Sequence, residues 1–430
     1  MQSKPRVLAL AEAANPEWVS VPLIGWALSQ ALREVADVHL VTQVRNRDAI
    51  LRAGLVEGRD FTAIDSEALE RPLWRMSSAL RLGWTSKMAL NALSYPYFER
   101  LVWQRFGAEI QAGSFDIVHR ITPLSPTIVS PLAARCAAAG IPFVLGPLNG
   151  GVPWPRAFDS ARRKEKEWLS YVRGAYKMTP GRRRILEACS VILAGSRHTA
   201  SEIPAEMQDK VVWMPENAIQ PDQFGTPMTR PAPPPLRACF VGRLVPYKGP
   251  DMLLEAAAPL LTDGRLVLDI VGDGPMMAEL RAQAAAQGLD HAVTFHGWVA
   301  HGNVPGILGR AHILSFPSIR EFGGGVVLEA MALGTVPLIV DYGGPGELVT
   351  EGTGYTIPIG PRPDIVTALR DRLVRLAAEP DRLTPLSAAA RAHVLEAFTW
   401  PAKARGIAAV YARCLERTRP PLDTAARPTE

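Results

Sequence analysis

The chain has 430 residues, 47% hydrophobic and 21% charged, with a formal net charge of +5. This length accommodates two ordinary domains, and the composition excludes disordered, collagen-like and disulfide-scaffold classes. No stretch holds about 18 uninterrupted apolar residues, so no membrane-spanning helix is expected. The positive excess falls in the first half, mostly between Arg156 and Arg184. Such a surface suits phosphate, nucleic acid or anionic lipid. Cys136, Cys189, Cys239 and Cys414 are scattered without metal-ligand spacing. They read as reduced core thiols of a cytoplasmic protein.

The opening run KPRVLAL is too short for a signal-peptide core and fits a buried strand over residues 7–10. The loop AEAANPEWVSVPLIGW leads into an amphipathic stretch over 22–35. Further strands are expected at 38–42, around 117–118, at 142–145 and at 191–194. Residues 226–235, TPMTRPAPPP, can neither continue a helix nor pair in a sheet interior, and read as a linker. Strands at 238–241, 266–271, 293–295, 313–316, 336–340 and 354–357 follow, with helices over 251–261 and 276–287. Strands alternating with helices imply parallel sheets in α/β layers. The expected organisation is a first domain over 1–225, a second over 236–400, and a last helix over 402–417. The tail, 418–430, is expected to be disordered.

Two segments, 71–106 and 162–184, interleave aromatic and basic residues, including Trp74, Trp84, Tyr95, Tyr97 and Trp103. That pattern suits an anionic membrane surface. The competing reading is a pair of amphipathic helices covering the first sheet. No nucleic-acid motif accompanies the charge, so nucleic acid is not an expected partner.

Ligands of open α/β sheets bind beyond the carboxyl ends of strands. The first such loop in the second half is FVGRLVPYKGP, where Gly242 is followed by Arg243 and Lys248. Two cations there can clamp a diphosphate, or can be incidental charges on a solvated loop. Gly272-Asp273-Gly274-Pro275 permits a tight turn and close ligand approach, and Phe295-His296-Gly297-Trp298 can line a base pocket. Both also fit plain structural turns. The richest stretch is PSIREFGGGVVLEAMALG, starting at Pro317. Gly323-Gly324-Gly325 and Val326 lie between Glu321 and Glu329, at the start of a helix stopped by Gly334. Bare N–H groups at a helix start suit an anion, and carboxylates suit sugar hydroxyls. Helix-dipole and surface roles for the two acids are the plainer alternative.

In this order and spacing, over roughly 236–360, these motifs resemble the nucleotide-sugar-binding domain of the group 1 family of retaining glycosyltransferases. The matches include Lys248-Gly249, Pro317-Ser318 and Gly343-Gly344 with Glu347. In the first half, Asp116-Ile117-Val118-His119, Gly195-Ser196, Asn217 through Phe224, and Phe398-Thr399-Trp400 are similar to the family pattern. The resemblance implies the α/β GT-B fold, two Rossmann-like α/β/α domains facing a central cleft. It implies that Arg243 and Lys248 neutralise the diphosphate of a UDP- or GDP-sugar without a metal or other cofactor. It further implies that Glu329 binds ribose, Glu321 binds the transferred sugar, and His119 reaches the donor sugar across the cleft. The acceptor would be a sugar, a lipid-linked or a small-molecule hydroxyl, as in cell-surface polysaccharide or glycolipid synthesis. The place of action would be the cytoplasm or the cytoplasmic membrane face.

The first half departs from the family in lacking a Gly-Gly loop after its first strand. A later loop, GPLNGGVPWP, makes Gly146, Asn149, Gly150 and Gly151 acceptor-side candidates. Two other readings stand beside the transferase: a GT-B sugar-nucleotide epimerase, and a silent nucleotide-sugar-binding or membrane-scaffold protein. The first requires acid and base carboxylates on the first-domain side of the cleft, and the sequence places none there.

Overall fold

The computed structural model describes residues 4–69, 71, 84–150, 152–158, 181–224 and 228–418. Strand β1 (Arg6–Ala11) reads RVLALA, and its last five residues are buried. Alternation along the strand sends Val7, Ala9 and Ala11 to one face and Leu8 and Leu10 to the other, each into a different apolar cluster. A strand buried on both faces needs helices above and below, which is the physics of a parallel α/β sheet.

The first sheet is completed by β2 (Asp37–Gln43), β3 (Phe61–Ile64), β4 (Ile117–Thr122), β5 (Phe143–Leu148), β6 (Val191–Ala194) and β7 (Val211–Trp213). Its order is β3-β2-β1-β4-β5-β6-β7, and every pairing is parallel. The second sheet holds β8 (Leu236–Val241), β9 (Leu266–Val271), β10 (Val293–Gly297), β11 (Ile313–Phe316), β12 (Val336–Asp341) and β13 (Tyr355–Pro358). Its order is β10-β9-β8-β11-β12-β13, again parallel throughout. Strand order reverses between β1 and β4 in one sheet and between β8 and β11 in the other. At such a reversal the flanking loops diverge and open a crevice for a ligand.

Strands β3 and β7 were not expected from sequence. They are short edge strands of four and three residues, too brief for a periodic signal. Strand β4 runs to six buried residues, further than the neighbourhood of Ile117 and Val118 implied, because Arg120 and Thr122 at its end are polar. Arg120 is fully buried and donates to the carbonyls of Ile128 and Pro123, both at 2.8 Å. The helix Trp84–Gln111 carries Tyr95, Phe98, Val102 and Phe106 into the core beneath the sheet. Tyr95 therefore faces the interior and not a surface, while the side chains of Trp74 and Trp84 and residues 159–180 lie outside the described residues. Among the described residues no helix is long and apolar enough to cross a membrane.

The segment from residue 228 is anchored to the second domain. Arg230 donates to the carbonyls of Leu333 at 2.6 Å and Gly309 at 3.1 Å. The last helix, Trp400–Thr418, leaves the second domain and buries Ala404, Ile407, Val410, Tyr411 and Cys414 among first-domain residues such as Leu28 and Val144. Ile407 is fully buried there. Ile407→Ala is expected to lower the free energy of unfolding by about 2–5 kcal/mol, through lost apolar burial and the cavity left behind. Urea denaturation with a probe in the first domain checks this.

Candidate functional site

The loops after β8 and β11 flank the strand-order reversal of the second sheet, and each contributes one member of an ion pair. Lys248 Nζ stands 2.7 Å from Glu321 Oε2, with the two side chains 18% and 20% exposed. The same ammonium lies 5.1 Å from the centre of the Phe316 ring, a cation–π contact at the end of β11. Gly242, Gly272 and Gly297 follow β8 and β9 or close β10, and are bonded in sequence across the sheet edge. Gly242 N–H donates to Val271 O at 2.9 Å, and Gly272 N–H to Gly297 O at 2.8 Å. Arg243 is exposed beside them, and Trp298 is 77% exposed.

Helix Gly325–Ala332 begins at Gly324, whose φ of +60° is a left-handed conformation that favours glycine. Its first turn presents the N–H groups of Gly325 and Val326 without intrahelical acceptors. Glu329 lies one turn further on, its Oε1 2.8 Å from His301 Nε2. This carboxylate holds the His301 imidazolium above its ordinary pKa, against the opposing effect of burial. Thus Lys248, Glu321, the glycine triplet and Glu329 are brought to one edge of one sheet, with Arg243 on the adjoining loop.

His119 is placed elsewhere than expected. It is fully buried in the middle of the first sheet, and both ring nitrogens are engaged. Nδ1 is 2.6 Å from the Tyr411 hydroxyl and Nε2 is 2.7 Å from the Gly146 carbonyl. The arrangement has Nε2–H donating to Gly146 and the Tyr411 hydroxyl donating to Nδ1, which suits a neutral ring. Burial lowers its pKa to about 4, with the Gly146 bond opposing. The strand continues past His119 for three buried residues, so the side chain never reaches the cleft. Its role is to join the last helix to the first sheet.

The first domain instead brings Glu216 and Asn217, on the loop after β7, to the glycine triplet. A Cβ on Gly323 would collide with Glu216 Oε1 and Asn217 Nδ2. Glu216 is 4% exposed, and Asn149 Nδ2 donates to its Oε1 at 2.6 Å. Burial raises its pKa, reinforced by the charge of Glu321. Lys403, on the last helix, is also buried, which lowers its pKa, and it donates to the Pro215 carbonyl. Sequence reading passed over Glu216, since an isolated acid beside Asn217 carries no periodic or motif signal. Of the acceptor-side candidates, Gly146 is committed to His119 and Asn149 to Glu216. Gly150 N–H donates to Thr199 Oγ1 at 3.0 Å, and Gly151 lies outside the described residues.

Further bonds cross between the domains. Both oxygens of Glu347 accept from Arg197 N–H, at 2.8 and 2.9 Å, and Trp213 Nε1–H donates to the same carboxylate at 2.8 Å. The Tyr342 hydroxyl donates to Pro153 O at 2.9 Å. Arg320 lies 5.0 Å from the Trp154 ring and 5.1 Å from that of Phe322.

Two parallel-sheet α/β domains meeting at the carboxyl ends of their strands define the GT-B class. The solved glycosyltransferase from Rickettsia africae covers 96% of this chain and 99% of its own, with a TM-score of 0.63 and 15% identity. The Anabaena HepE protein, solved in complex with UDP, covers 95% and 100%, with a TM-score of 0.60 and 15% identity. At that identity the likeness concerns the fold. Residues 230–391 match the family model described as glycosyl transferases group 1. D-inositol 3-phosphate glycosyltransferase of Gordonia bronchialis is 34% identical over 188 residues, 41% of this chain and 40% of the relative. The matched stretch is thus less than half of that relative's length.

The neutral burial of His119 has a consequence for stability. The unfolded chain takes up a proton on this ring below the ordinary value of 6.5, while the folded chain resists until about 4. Between those values the unfolded state binds more protons, so this contribution is lost as pH falls. The urea midpoint is expected to drop from pH 6.5 toward 4, with a shallower slope in His119→Gln. Equal slopes for the two proteins would refute the assignment.

Proposed function

We propose that the protein is a retaining glycosyltransferase that moves a sugar from a nucleoside-diphosphate sugar to an acceptor hydroxyl. The observation that carries this is the Lys248–Glu321 pair, a cation for phosphate and a carboxylate for hydroxyls, beside the helix start at the glycine triplet. Arg243 and Lys248 would neutralise the diphosphate as it leaves, a charge-stabilising role that needs no proton transfer from the protein. Glu321 would hold hydroxyls of the transferred sugar, and Glu329 the ribose. HepE, with the same fold, is solved with UDP, which favours UDP-sugars among the donors to test.

On the front-face route the bond from the anomeric carbon to the leaving phosphate breaks. The acceptor oxygen bonds to that carbon on the same face, and its proton passes to the departing phosphate oxygen. Configuration is then retained without a nucleophilic carboxylate. Glu216 gives the epimerase reading one first-domain carboxyl, but it accepts from Asn149 and is packed against Gly323. Release of an epimerised nucleotide-sugar without an acceptor would favour that reading.

Turnover with a panel of UDP- and GDP-sugars and candidate acceptors tests the proposal. The wild type should release nucleoside diphosphate, and Glu321→Ala should be slower by about 100-fold or more. Proton NMR of the product should show the donor's anomeric configuration. An inverted product, or no turnover with any donor, counts against it.

Lys248→Ala should weaken nucleoside diphosphate binding by about tenfold or more and leave nucleoside binding nearly unchanged. Calorimetry with UDP and uridine checks this, and equal losses for both ligands would refute the clamp.

A further inference from the structure

His301 lies outside every motif considered above, yet it touches the carboxylate assigned to ribose. Its Nε2 is 2.8 Å from Glu329 Oε1, and the imidazole rests against the Phe224 ring at 5.3 Å between centres. Phe224 is 2% exposed and belongs to the core cluster of the second domain, so the ring is braced from behind. Among the described residues no group bonds the second oxygen of Glu329. His301 opens the short 3₁₀ turn His301–Asn303, three residues after the exposed Trp298. One loop therefore runs from a residue assigned to the base to a residue that fixes the ribose carboxylate.

On the donor-site reading just given, we propose that His301 is a positioning residue for the nucleoside. Its Nε2–H pins one oxygen of Glu329 and leaves the other to accept from the ribose hydroxyls. A glutamate on a helix face has three side-chain torsions, and a ligand that must order them loses affinity. A braced imidazole settles the plane of the carboxylate beforehand. Glu329 is the charged group facing His301, and Phe224 is apolar. Both the imidazolium and the neutral Nε2–H tautomer donate to Glu329, so the pin survives loss of the ring proton.

The test is calorimetric titration of the full chain with UDP, GDP and the 2′,3′-dideoxy analogue of whichever binds better. His301→Ala is expected to raise the Kd for the ribose-bearing nucleotide by about tenfold. His301→Gln, which keeps an N–H donor, should recover most of that loss. For the dideoxy analogue, wild type and His301→Ala should bind alike, which a merely structural role for the histidine would not produce. If the wild type binds a nucleotide and His301→Ala binds it as well as the wild type, the pin is refuted while the donor site stands. The same holds if the alanine variant loses the dideoxy ligand equally. If the wild type binds neither UDP nor GDP more tightly than inorganic phosphate, the donor-site reading falls and the pin with it.

Discussion

The close approach of the Glu216 and Asn217 side chains to the backbone at Gly323 is the constraint on which the cleft depends. Any side chain there would strike Glu216 and Asn217 of the opposite domain. Glu216 is itself tied to Asn149, so one contact joins the loops after β5, β7 and β11. Because Gly323 lacks a Cβ, the start of helix Gly325–Ala332 can lie against the first domain. The helix start, with its unpaired N–H groups, is thereby delivered to the seam between the sheets. Glu321, two residues earlier, is carried to the same place.

The charged groups of the site bond to one another, and this shapes what can replace them. Lys248 holds Glu321, and His301 holds Glu329. A ligand with phosphates alone would take Lys248 and leave the partly buried Glu321 without a donor. One with hydroxyls alone would take Glu321 and strand Lys248. Leaving a desolvated charge unpaired costs more than an ordinary hydrogen bond returns. A ligand that carries phosphate and hydroxyls at the right separation exchanges both bonds at once. On the proposed donor-site reading, selectivity for a sugar diphosphate over its fragments would follow from the pairing, as much as from the shape of the cleft.

The second domain was largely legible in the sequence because its strands are apolar and its loops are marked by glycine. Strands β9 and β11 have the bounds that periodicity implied, and Arg243, Lys248, Glu321 and Glu329 lie on loops or helices at one sheet edge. The first domain was less legible for identifiable reasons. Buried His119, Arg120 and Thr122 disguise β4, and the edge strands β3 and β7 are too short to show alternation. His119 sat where the family pattern puts a cleft histidine, but the side chain is consumed by Tyr411, 292 residues away. A contact of that separation leaves no local trace. The same holds for Glu216 with Gly323 and for His301 with Glu329.

The last helix explains why these long-range contacts are coupled. The chain crosses between domains near Ile219 and returns near Thr399, and the two crossings are bonded side by side. Ile219 N–H donates to Phe398 O at 2.9 Å, and Trp400 N–H to Ile219 O at 3.3 Å. Glu216 and Lys403 flank this junction, each buried and each with its charged form disfavoured by desolvation. Two crossings bonded together restrict the domains to rotation about that line far more than a single tether would. The final helix, by filling the first-domain core and engaging His119, fixes one side of that junction to the sheet. The buried histidine thus belongs to the frame that ties the last helix to the first sheet.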